Sequence, residues 1–348
     1  MNKPLISVLF PVYNSEEFLA ESLNSILKQT FRNFELIIVN DNSSDNSLNI
    51  IENKINTTSD IQIHLINNNC NLGLSKTLNK AFNVAKGKFV ARMDSDDICM
   101  ANRFEKQINF LNSNPNIGLV GANCICINKL GKVIDKTNHP QSHEDIKARF
   151  FFHNPFNHQS IIFRKSLFKG KPYNERLTTT QDYELYVRLS KRTKLANLSE
   201  PLVKQRIHCE SISSKKKDLQ LKNTIYIQKK FYPAIIKKRI NQDVFKKLNK
   251  YFLGDKNDFE KDRKNIPCIC IEILQMYVEI RKTIINSTLE VFLLKKFLYF
   301  LLYSLGKKYS GKFSLEVFKV FGTLKITLVI FFLITNKLKK NVWNFRVN

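Results

Sequence analysis

Residues Gly87–Asp97 read GKFVARMDSDD, an apolar run that ends in three carboxylates within four positions. The apolar part, Phe89–Met93, has the length and composition of a buried strand. The carboxylates that follow repel one another unless a cation neutralises them. Oxygen ligands such as those of Asp94, Ser95 and Asp96 are the ones that Mg²⁺ or Mn²⁺ prefers. The segment therefore predicts a strand that ends at a site for one of these ions. The alternative for one of the carboxylates is to cap a following helix.

Upstream of this segment, strand-length apolar runs alternate with stretches of helical periodicity. The expected strands are Leu5–Phe10, Phe34–Val39, Ile61–Ile66 and Phe89–Met93, and the expected helices are Ser15–Gln29, Asp45–Lys54 and Leu74–Lys86. This alternation predicts an α/β fold, a Rossmann-like and mostly parallel sheet with helices on both faces. Ligands of such sheets bind at the carboxyl ends of the strands. Here those ends are Pro11–Asn14, Asn40–Ser44, Asn67–Gly73 and the acidic segment itself.

The rest of the chain divides into a mixed part and a basic part. We expect helices over Arg103–Leu111 and Gln181–Ser190 and strands over Ile117–Ile127 and Ser160–Arg164. Beyond about residue 210 the pattern changes to long, Lys-rich helical segments. The sequence therefore predicts an α/β domain over residues 1–210 and a basic helical C-terminal region over residues 211–348.

The chain carries a formal net charge of +26, and the excess lies near its C-terminal end. Residues 1–203 contribute +6 and residues 204–348 contribute +20. A basic tail of this kind suits anionic lipid or nucleic acid. Because no nucleic-acid-binding motif is present, we expect no nucleic-acid partner. The alternative is a basic nucleic-acid-binding protein with an α/β core.

Two late segments, Val291–Leu305 and Val317–Thr335, are strongly apolar but interrupted by lysines. A helix that spans a bilayer needs about 20 predominantly apolar residues. An interfacial helix anchored by Lys337, Lys339 and Lys340 fits better, and a buried helix of a C-terminal bundle is the alternative. The favoured expectation is peripheral attachment to an anionic membrane surface.

The cysteine pattern points to a reducing compartment. The chain has seven cysteines, an odd number, and their spacing fits neither a zinc site nor a secreted disulfide framework. We therefore expect buried, reduced thiols and a protein on the cytoplasmic side of the membrane.

The order of these motifs resembles the family 2 glycosyltransferases, which have the GT-A fold. The resemblance runs through about residues 4–210 and rests on SVLFPVYN (7–14), LAESLNSILKQTFRNF (19–34), ELIIVNDNSSDNS (35–47), NCNLGLSKTLNKAFNVA (69–85) and GKFVARMDSDD (87–97). It implies transfer of a sugar from a nucleotide-diphosphate sugar, expected to be a UDP-sugar. The implied acceptor is a hydroxyl of a glycan or lipid-linked oligosaccharide in polysaccharide or lipopolysaccharide synthesis.

The same resemblance assigns the donor site. It implies that the base and ribose are lined by Pro11, Val12, Tyr13 and Asn14. Asp41 would accept a hydrogen bond from the base, although its neighbours are turn-forming residues and a structural role is the alternative. Gly73 and Asn79 would lie beside the diphosphate. Arg92 either offsets the charge of the diphosphate or pairs with one of the aspartates that follow it.

The metal would be held, by resemblance, at Asp94 and Asp96, with Ser95 lining the donor site. Arg206 and His208 fall where the family brings a basic segment over the phosphates. In a closed state His208 would be a further metal ligand.

A proton acceptor for the attacking hydroxyl is implied by the segment TQDYEL (180–185). The family has a Glu-Asp pair here, whereas this chain has Gln181 and Asp182. Asp182 is thus the expected general base, with Glu184 as the substitute, and the resemblance implies inversion at the anomeric carbon. His158 lies in a segment that the family places near the acceptor, and a structural polar role fits it equally well.

Overall fold

The computed structural model describes residues 3–150, 154–208 and 217–231. The described residues up to Thr224 belong to one compact unit, and the last turns of the final helix belong to a second. The strands are β1 (Ile6–Val12), β2 (Phe34–Asn40), β3 (Gln62–Asn67), β4 (Phe89–Arg92), β5 (Ile98–Cys99), β6 (Ile117–Ile127), β7 (Val133–Lys136), β8 (Ile162–Arg164) and β9 (Lys194–Arg206). The helices are α1 (Glu16–Leu27), α2 (Ser47–Asn56), α3 (Leu74–Val84), α4 (Arg103–Ser113), α5 (His143–Arg149), α6 (Gln181–Leu189) and α7 (Lys217–Phe231).

The described strands form one nine-stranded sheet in the order β3-β2-β1-β4-β8-β6-β9-β5, with β7 paired to β6. The first four strands are parallel to one another, as predicted. The second half differs from a purely parallel sheet, because β8 pairs antiparallel with both β4 and β6. The α/β prediction is confirmed, and the antiparallel pairs make the sheet mixed.

Both faces of the parallel half are buried, which explains its continuous apolar runs. Ile6, Val8 and Phe10 of β1 share a core cluster with Leu19 and Leu23 of α1. Helix α3 packs against β1 and β2, whose remaining side chains are also buried. The predicted arrangement of helices on both faces is thus present.

Strand β4, which delivers the acidic segment, begins at a position that requires glycine. A Cβ atom on Gly87 would lie 2.6 Å from the backbone nitrogen of Ser7. The Gly87 backbone N–H also donates a hydrogen bond to the Ser7 hydroxyl, at 2.8 Å. This close approach fixes the start of β4 against β1 and thereby the place where β4 ends.

Strand β9 was not expected from the sequence, and it determines the geometry of the site. It pairs with β6 in parallel, with register shifts near Asn123, and antiparallel with the short β5. Its 13 residues, KLANLSEPLVKQR, mix polar residues and a proline and lack a clear period of two. Its carboxyl end brings Arg206 to the acidic segment.

Several other sequence predictions can be compared with the described residues. Cys99 and Cys124 are buried free thiols, as expected, whereas Cys70 is exposed. Within the described ranges, no helix combines the length and the apolar character needed to cross a bilayer. The two late apolar segments and their lysine anchors lie outside the described residues, and the division at residue 210 stays a prediction.

Candidate active site

The acidic loop, residues 94–97, gathers three carboxylates at the end of β4. Oxygen atoms of Asp94, Asp96 and Asp97 all lie within 4.8 Å of one another. Burial raises the pKa of Asp94, and burial together with the Asp96 charge raises the pKa of Asp97 well above its usual range. This repulsion and the all-oxygen donor set fit a divalent cation such as Mg²⁺ or Mn²⁺. The Ser95 hydroxyl lies 2.7 Å from that of Ser15, which ties the loop to the start of α1.

Arg92 lies beneath the acidic loop and is almost completely buried. Its guanidinium forms an ion pair with Asp94. Burial opposes the charged form, yet the Asp94 carboxylate raises the pKa of Arg92. Of the two roles left open by the sequence, the structure therefore shows the pairing with an aspartate.

The end of β9 folds directly onto the acidic loop. His208 places Nε2 at 3.0 Å from Oδ2 of Asp96, and its ring contacts Phe18 of α1 with centroids 5.6 Å apart. Histidine nitrogen is also a common metal ligand. The predicted neighbourhood of His208 and Asp96 is present, and coordination by His208 stays a prediction.

Arg206 does not reach over a phosphate site as the resemblance implied. Its side chain is buried, and its guanidinium donates to the carbonyl oxygen of Asp96 at 3.0 Å, to that of Lys129 at 3.0 Å and to the Glu21 carboxylate at 2.7 Å. Its backbone N–H donates to Oδ1 of Asp97 at 2.7 Å. The guanidinium also lies over the ring of Phe18, 4.4 Å from the centroid. Arg206 is therefore a structural clamp on the acidic loop.

The loop after β1 presents one aromatic side chain to solvent. The Tyr13 side chain is 51% exposed. The next residue, Asn14, has φ of 47° and is anchored to the loop after β2, since its side-chain oxygen accepts from the Ser44 backbone N–H at 2.9 Å. Pro11 is half-buried at the end of the strand. The Val12 side chain lies in the core, so its backbone is the part left to line a nucleotide, and that assignment stays a prediction.

Asp41 is buried and organises the loop after β3. Its carboxylate accepts hydrogen bonds from the Asn68 side chain at 2.7 Å, the Leu72 backbone N–H at 2.8 Å and the Gly73 backbone N–H at 2.9 Å. Gly73 has φ of +81°, a conformation that favours glycine. Asp41 thus has the structural role in loop formation that was its alternative. A hydrogen bond from a base would be the fourth that its carboxylate accepts.

Asn79 of α3 holds the segment 173–175, and its expected place beside the diphosphate stays a prediction. Its side-chain nitrogen donates to the carbonyl oxygen of Tyr173 at 2.9 Å and to Glu175 at 3.0 Å, while its oxygen accepts from the Tyr173 backbone N–H at 3.0 Å. Both amide hydrogens are used by the 173–175 segment, so Asn79 supports that segment and has no donor for a diphosphate.

Asp182 lies in the first turn of α6, where the helix dipole favours a carboxylate. Burial raises its pKa, opposed by hydrogen bonds that include one from the Asn154 side chain at 2.6 Å and by the charge of Arg92. The charge of Asp182 in turn contributes to the raised pKa of Asp94. The preceding Thr180 has φ of 59°, a strained conformation for a β-branched residue.

Glu184, the substitute base, is occupied elsewhere. Both of its carboxylate oxygens accept hydrogen bonds from Arg188, at 3.0 and 3.1 Å. The pair follows the i,i+4 spacing of the helix and is largely buried. Asp182 is therefore the better placed of the two carboxylates.

Two buried tyrosines surround His158 and were not predicted as site residues. His158 Nε2 lies 3.0 Å from the Tyr173 hydroxyl, and its ring also contacts that of Tyr186. Burial and the nearby Arg92 charge hold the pKa of His158 well below its usual range, so the imidazole is neutral. The Tyr186 hydroxyl has no hydrogen-bond partner among the described residues. The sequence signalled Tyr186 only as part of the apolar face of α6.

Comparison with known proteins identifies the family. The chain matches the family model "Glycosyl transferase family 2" over residues 7–170. It is 31% identical over 298 residues to an uncharacterized glycosyltransferase of Haemophilus influenzae, an alignment that covers 83% of this chain and 90% of that protein. The chain belongs to glycosyl transferase family 2. It is accordingly a glycosyltransferase, and the predicted enzyme class is confirmed.

Two further comparisons bear on this family member. It is 31% identical over 219 residues to the Escherichia coli UDP-Glc:alpha-D-GlcNAc-diphosphoundecaprenol beta-1,3-glucosyltransferase WfgD, covering 62% of this chain and 82% of that protein. The structure of S. aureus TarS 1-349 in complex with UDP-GlcNAc superposes with a TM-score of 0.56 at 19% identity, covering 79% of this chain and 81% of that chain. At that identity the likeness supports the shared GT-A fold alone.

Proposed function

We propose that this family 2 enzyme transfers a sugar, with inversion, from a UDP-sugar to a hydroxyl of a lipid-linked or free glycan during polysaccharide or lipopolysaccharide synthesis. The observation that carries the proposal is the acidic loop, in which carboxylate oxygens of Asp94, Asp96 and Asp97 lie within 4.8 Å of one another at the end of β4. It supports a cation site for the diphosphate of the donor, and we place the base, Asp182, next to that site. Transfer between a nucleotide-bound sugar and a hydroxyl requires these two functions next to each other.

The donor half of the proposal rests on the loops after β1, β2 and β3. The exposed ring of Tyr13 offers a flat apolar surface to a base, and Asn14 holds that loop against the loop after β2. Asp41 fixes the backbone of Gly73 at the start of α3. A UDP donor is supported by the names of WfgD and of the TarS complex, both of which refer to UDP-sugars.

A divalent cation fits the acidic loop, and we assign it to Asp94, Asp96 and His208, with Asp97 beside them. When bound, Mg²⁺ or Mn²⁺ would stabilise the charge of the diphosphate leaving group. Arg92 adds a buried positive charge that holds Asp94 in place. Asp97 accepts from the Arg206 backbone N–H, which fixes the loop on the β9 side.

On the acceptor side, Asp182 would accept the proton of the attacking hydroxyl. A raised pKa suits a general base, because the carboxylate then binds the proton more strongly. With Glu184 engaged by Arg188, one base serves the reaction and no nucleophilic carboxylate is required. This supports direct displacement with inversion.

The acceptor is proposed to be lipid-linked. The support is the E. coli relative, whose name gives a diphosphoundecaprenol-linked sugar as acceptor. The excess of +20 over residues 204–348 agrees with an anionic membrane surface on the cytoplasmic side as the place of work.

A thermal-shift panel tests the donor and the cation together. Saturation to about 100 times Kd stabilises a protein by about 2.7 kcal/mol, or roughly 5–10 °C for a unit of this size. We expect this shift with UDP plus Mn²⁺ and a much smaller one with UDP plus chelator or with GDP.

The variant Asp96→Ala should lose the Mn²⁺-dependent part of the shift, whereas Asp60→Ala, which removes an exposed carboxylate, serves as the matched control. Equal shifts with and without chelator in the unmodified protein would refute the cation assignment. A larger shift with GDP than with UDP would refute the UDP assignment.

A further inference from the structure

The hairpin between β6 and β7 carries an exposed apolar tip that the proposed chemistry does not use. Leu130 at the tip is 91% exposed, and Val133 and Ile134 on the returning strand are 60% and 48% exposed. Ile207, whose backbone N–H donates to the carbonyl oxygen of Ile127 at the base of the hairpin, is also exposed. Exposed apolar residues that cluster in this way mark an interaction surface rather than a folding requirement.

The tip is ordered by its own hydrogen bonds. The Asn128 side-chain oxygen accepts from the backbone N–H groups of Leu130 and Lys132, at 3.0 and 2.9 Å. The Gly131 backbone N–H donates to the Asn128 carbonyl oxygen, and Gly131 adopts φ of +80°. The turn therefore holds Leu130 outward in a fixed conformation, so its exposure does not come from a loose loop.

Lysines flank the apolar residues of this hairpin. Lys129, Lys132 and Lys136 lie among Leu130, Val133 and Ile134 in the segment NKLGKVIDK (128–136), which also holds Asp135, and Lys129 is paired with Glu17 at 2.8 Å. Apolar side chains that enter the interface of a bilayer, framed by lysines that remain with anionic headgroups, are the pattern of a membrane-surface contact.

The Arg206 side chain joins the hairpin to the acidic loop. Arg206 donates to the carbonyl oxygens of Asn128 and Lys129 at the base of the tip and to that of Asp96 in the acidic loop. A surface that receives the tip would thus lie at a fixed position relative to Asp96. This placement would keep the acidic loop near the headgroup layer, where the sugar of a lipid-linked acceptor is found.

We infer that the β6–β7 hairpin inserts Leu130 and its apolar neighbours into the headgroup region of an anionic lipid bilayer. The occupant is the lipid surface, chosen over a second protein because of the lysines that flank the tip. The inference deepens the proposed function through the lipid-linked acceptor, but its test contains neither donor nor acceptor. Its failure and the failure of the proposed function are therefore distinguishable.

A tryptophan placed at the tip reports insertion directly. The chain has one tryptophan, so the double variant Trp343→Phe, Leu130→Trp carries a single reporter at the tip. The control is Trp343→Phe, Val84→Trp, because Val84 on α3 is also an exposed apolar residue. Both full-length variants are mixed with vesicles of phosphatidylcholine that contain or lack phosphatidylglycerol.

With anionic vesicles, we expect the emission of the tip reporter to shift to shorter wavelength and to be quenched by brominated lipid, while the control reporter is unaffected. In co-sedimentation, Leu130→Ser should weaken vesicle binding about tenfold through the lost apolar area. Lys132→Gln should weaken binding to anionic vesicles alone, by about fivefold.

Two results would overturn the inference. One is a tip reporter that stays solvent-exposed while the protein co-sediments with vesicles, since the contact then lies elsewhere in this basic chain. The other is no vesicle binding together with self-association that Leu130→Ser abolishes, which would assign the tip to a second copy of the protein.

Discussion

Replacing Arg206 by lysine tests the contribution of one side chain that contacts the acidic loop, the β6–β7 hairpin and α1. The guanidinium donates to the carbonyl oxygens of Asp96 and Lys129 and to the Glu21 carboxylate, and it lies over Phe18. Lysine keeps the positive charge but loses the planar fork that reaches several acceptors at once. The substitution therefore tests whether these contacts stabilise the protein and position the acidic loop.

The expected cost follows from which acceptors lose a donor. The Glu21 side chain is mostly exposed, so water replaces its lost contact at little cost. The contacts to the carbonyl oxygens of Asp96 and Lys129 are part-buried, and an unsatisfied buried group costs about 1–3 kcal/mol. Because the lysine ammonium can reach one of the two and water can partly solvate the other, we expect a loss of about 1–2 kcal/mol in the free energy of unfolding.

Urea unfolding followed by circular dichroism measures this loss, and isothermal titration with Mn²⁺ measures the effect on the acidic loop. Arg206→Lys should lower both the midpoint of unfolding and the Mn²⁺ affinity, the latter by about tenfold for a displaced ligand. Arg176→Lys changes an exposed arginine and is the matched control. Stability within about 0.5 kcal/mol of the unmodified protein, the ordinary range for surface substitutions, would refute the clamp.

Three further predictions concern the donor loop and the base. Gly73→Ala and Gly131→Ala both place a side chain at a positive φ in open space, so each should lower the free energy of unfolding by about 1 kcal/mol. Only Gly73→Ala should also weaken UDP binding. Equal UDP affinities of the two variants would contradict the assignment of Gly73 to the donor site. Asn154→Ala removes a hydrogen bond that lowers the pKa of Asp182, so that pKa should rise further. The acid limb of the plot of transfer rate against pH should therefore move to higher pH. An acid limb that does not move would show that the ionisation of Asp182 does not control the rate. Asp182→Asn should lower the rate of transfer by about 10²–10⁴-fold while UDP binding is retained. Glu184→Gln should reduce stability but leave the turnover of each folded molecule unchanged. A larger loss of turnover in Glu184→Gln than in Asp182→Asn would identify Glu184 as the base.

The parallel half of the fold could be predicted because its rules are local. Each of the strands β1 to β4 is a short apolar run followed by turn residues, and the acidic loop ends the last of them. The carboxyl ends of neighbouring parallel strands meet at one edge of a sheet, so Tyr13, Asp41 and the acidic loop follow from order alone. Asp182 at the start of α6 was instead expected from the resemblance to the Glu-Asp pair of the family.

What sequence could not supply are contacts between distant residues. Arg206 binds Asp96, 110 positions away, and Glu21, 185 positions away, and nothing local distinguishes it from a solvent-facing basic residue. From the sequence, the Asn79 amide could bind a ligand, but in the structure it donates a hydrogen bond to the carbonyl oxygen of Tyr173, 94 positions away. The burial of the Val12 side chain could not be predicted for a different reason, since the period of a strand buried on both faces gives no outward position.

The buried Arg92 supplies the acidic loop with a counter-ion of its own. Without it, three carboxylates within 4.8 Å would repel one another in the metal-free protein with no positive charge beside them. With Asp94 already compensated, we expect the loop to survive chelation, so that stripping and reloading of the ion are reversible at constant fold. Under the proposed cation assignment, ion and nucleotide would arrive and depart together in each catalytic cycle, while the polypeptide remains preassembled between turnovers.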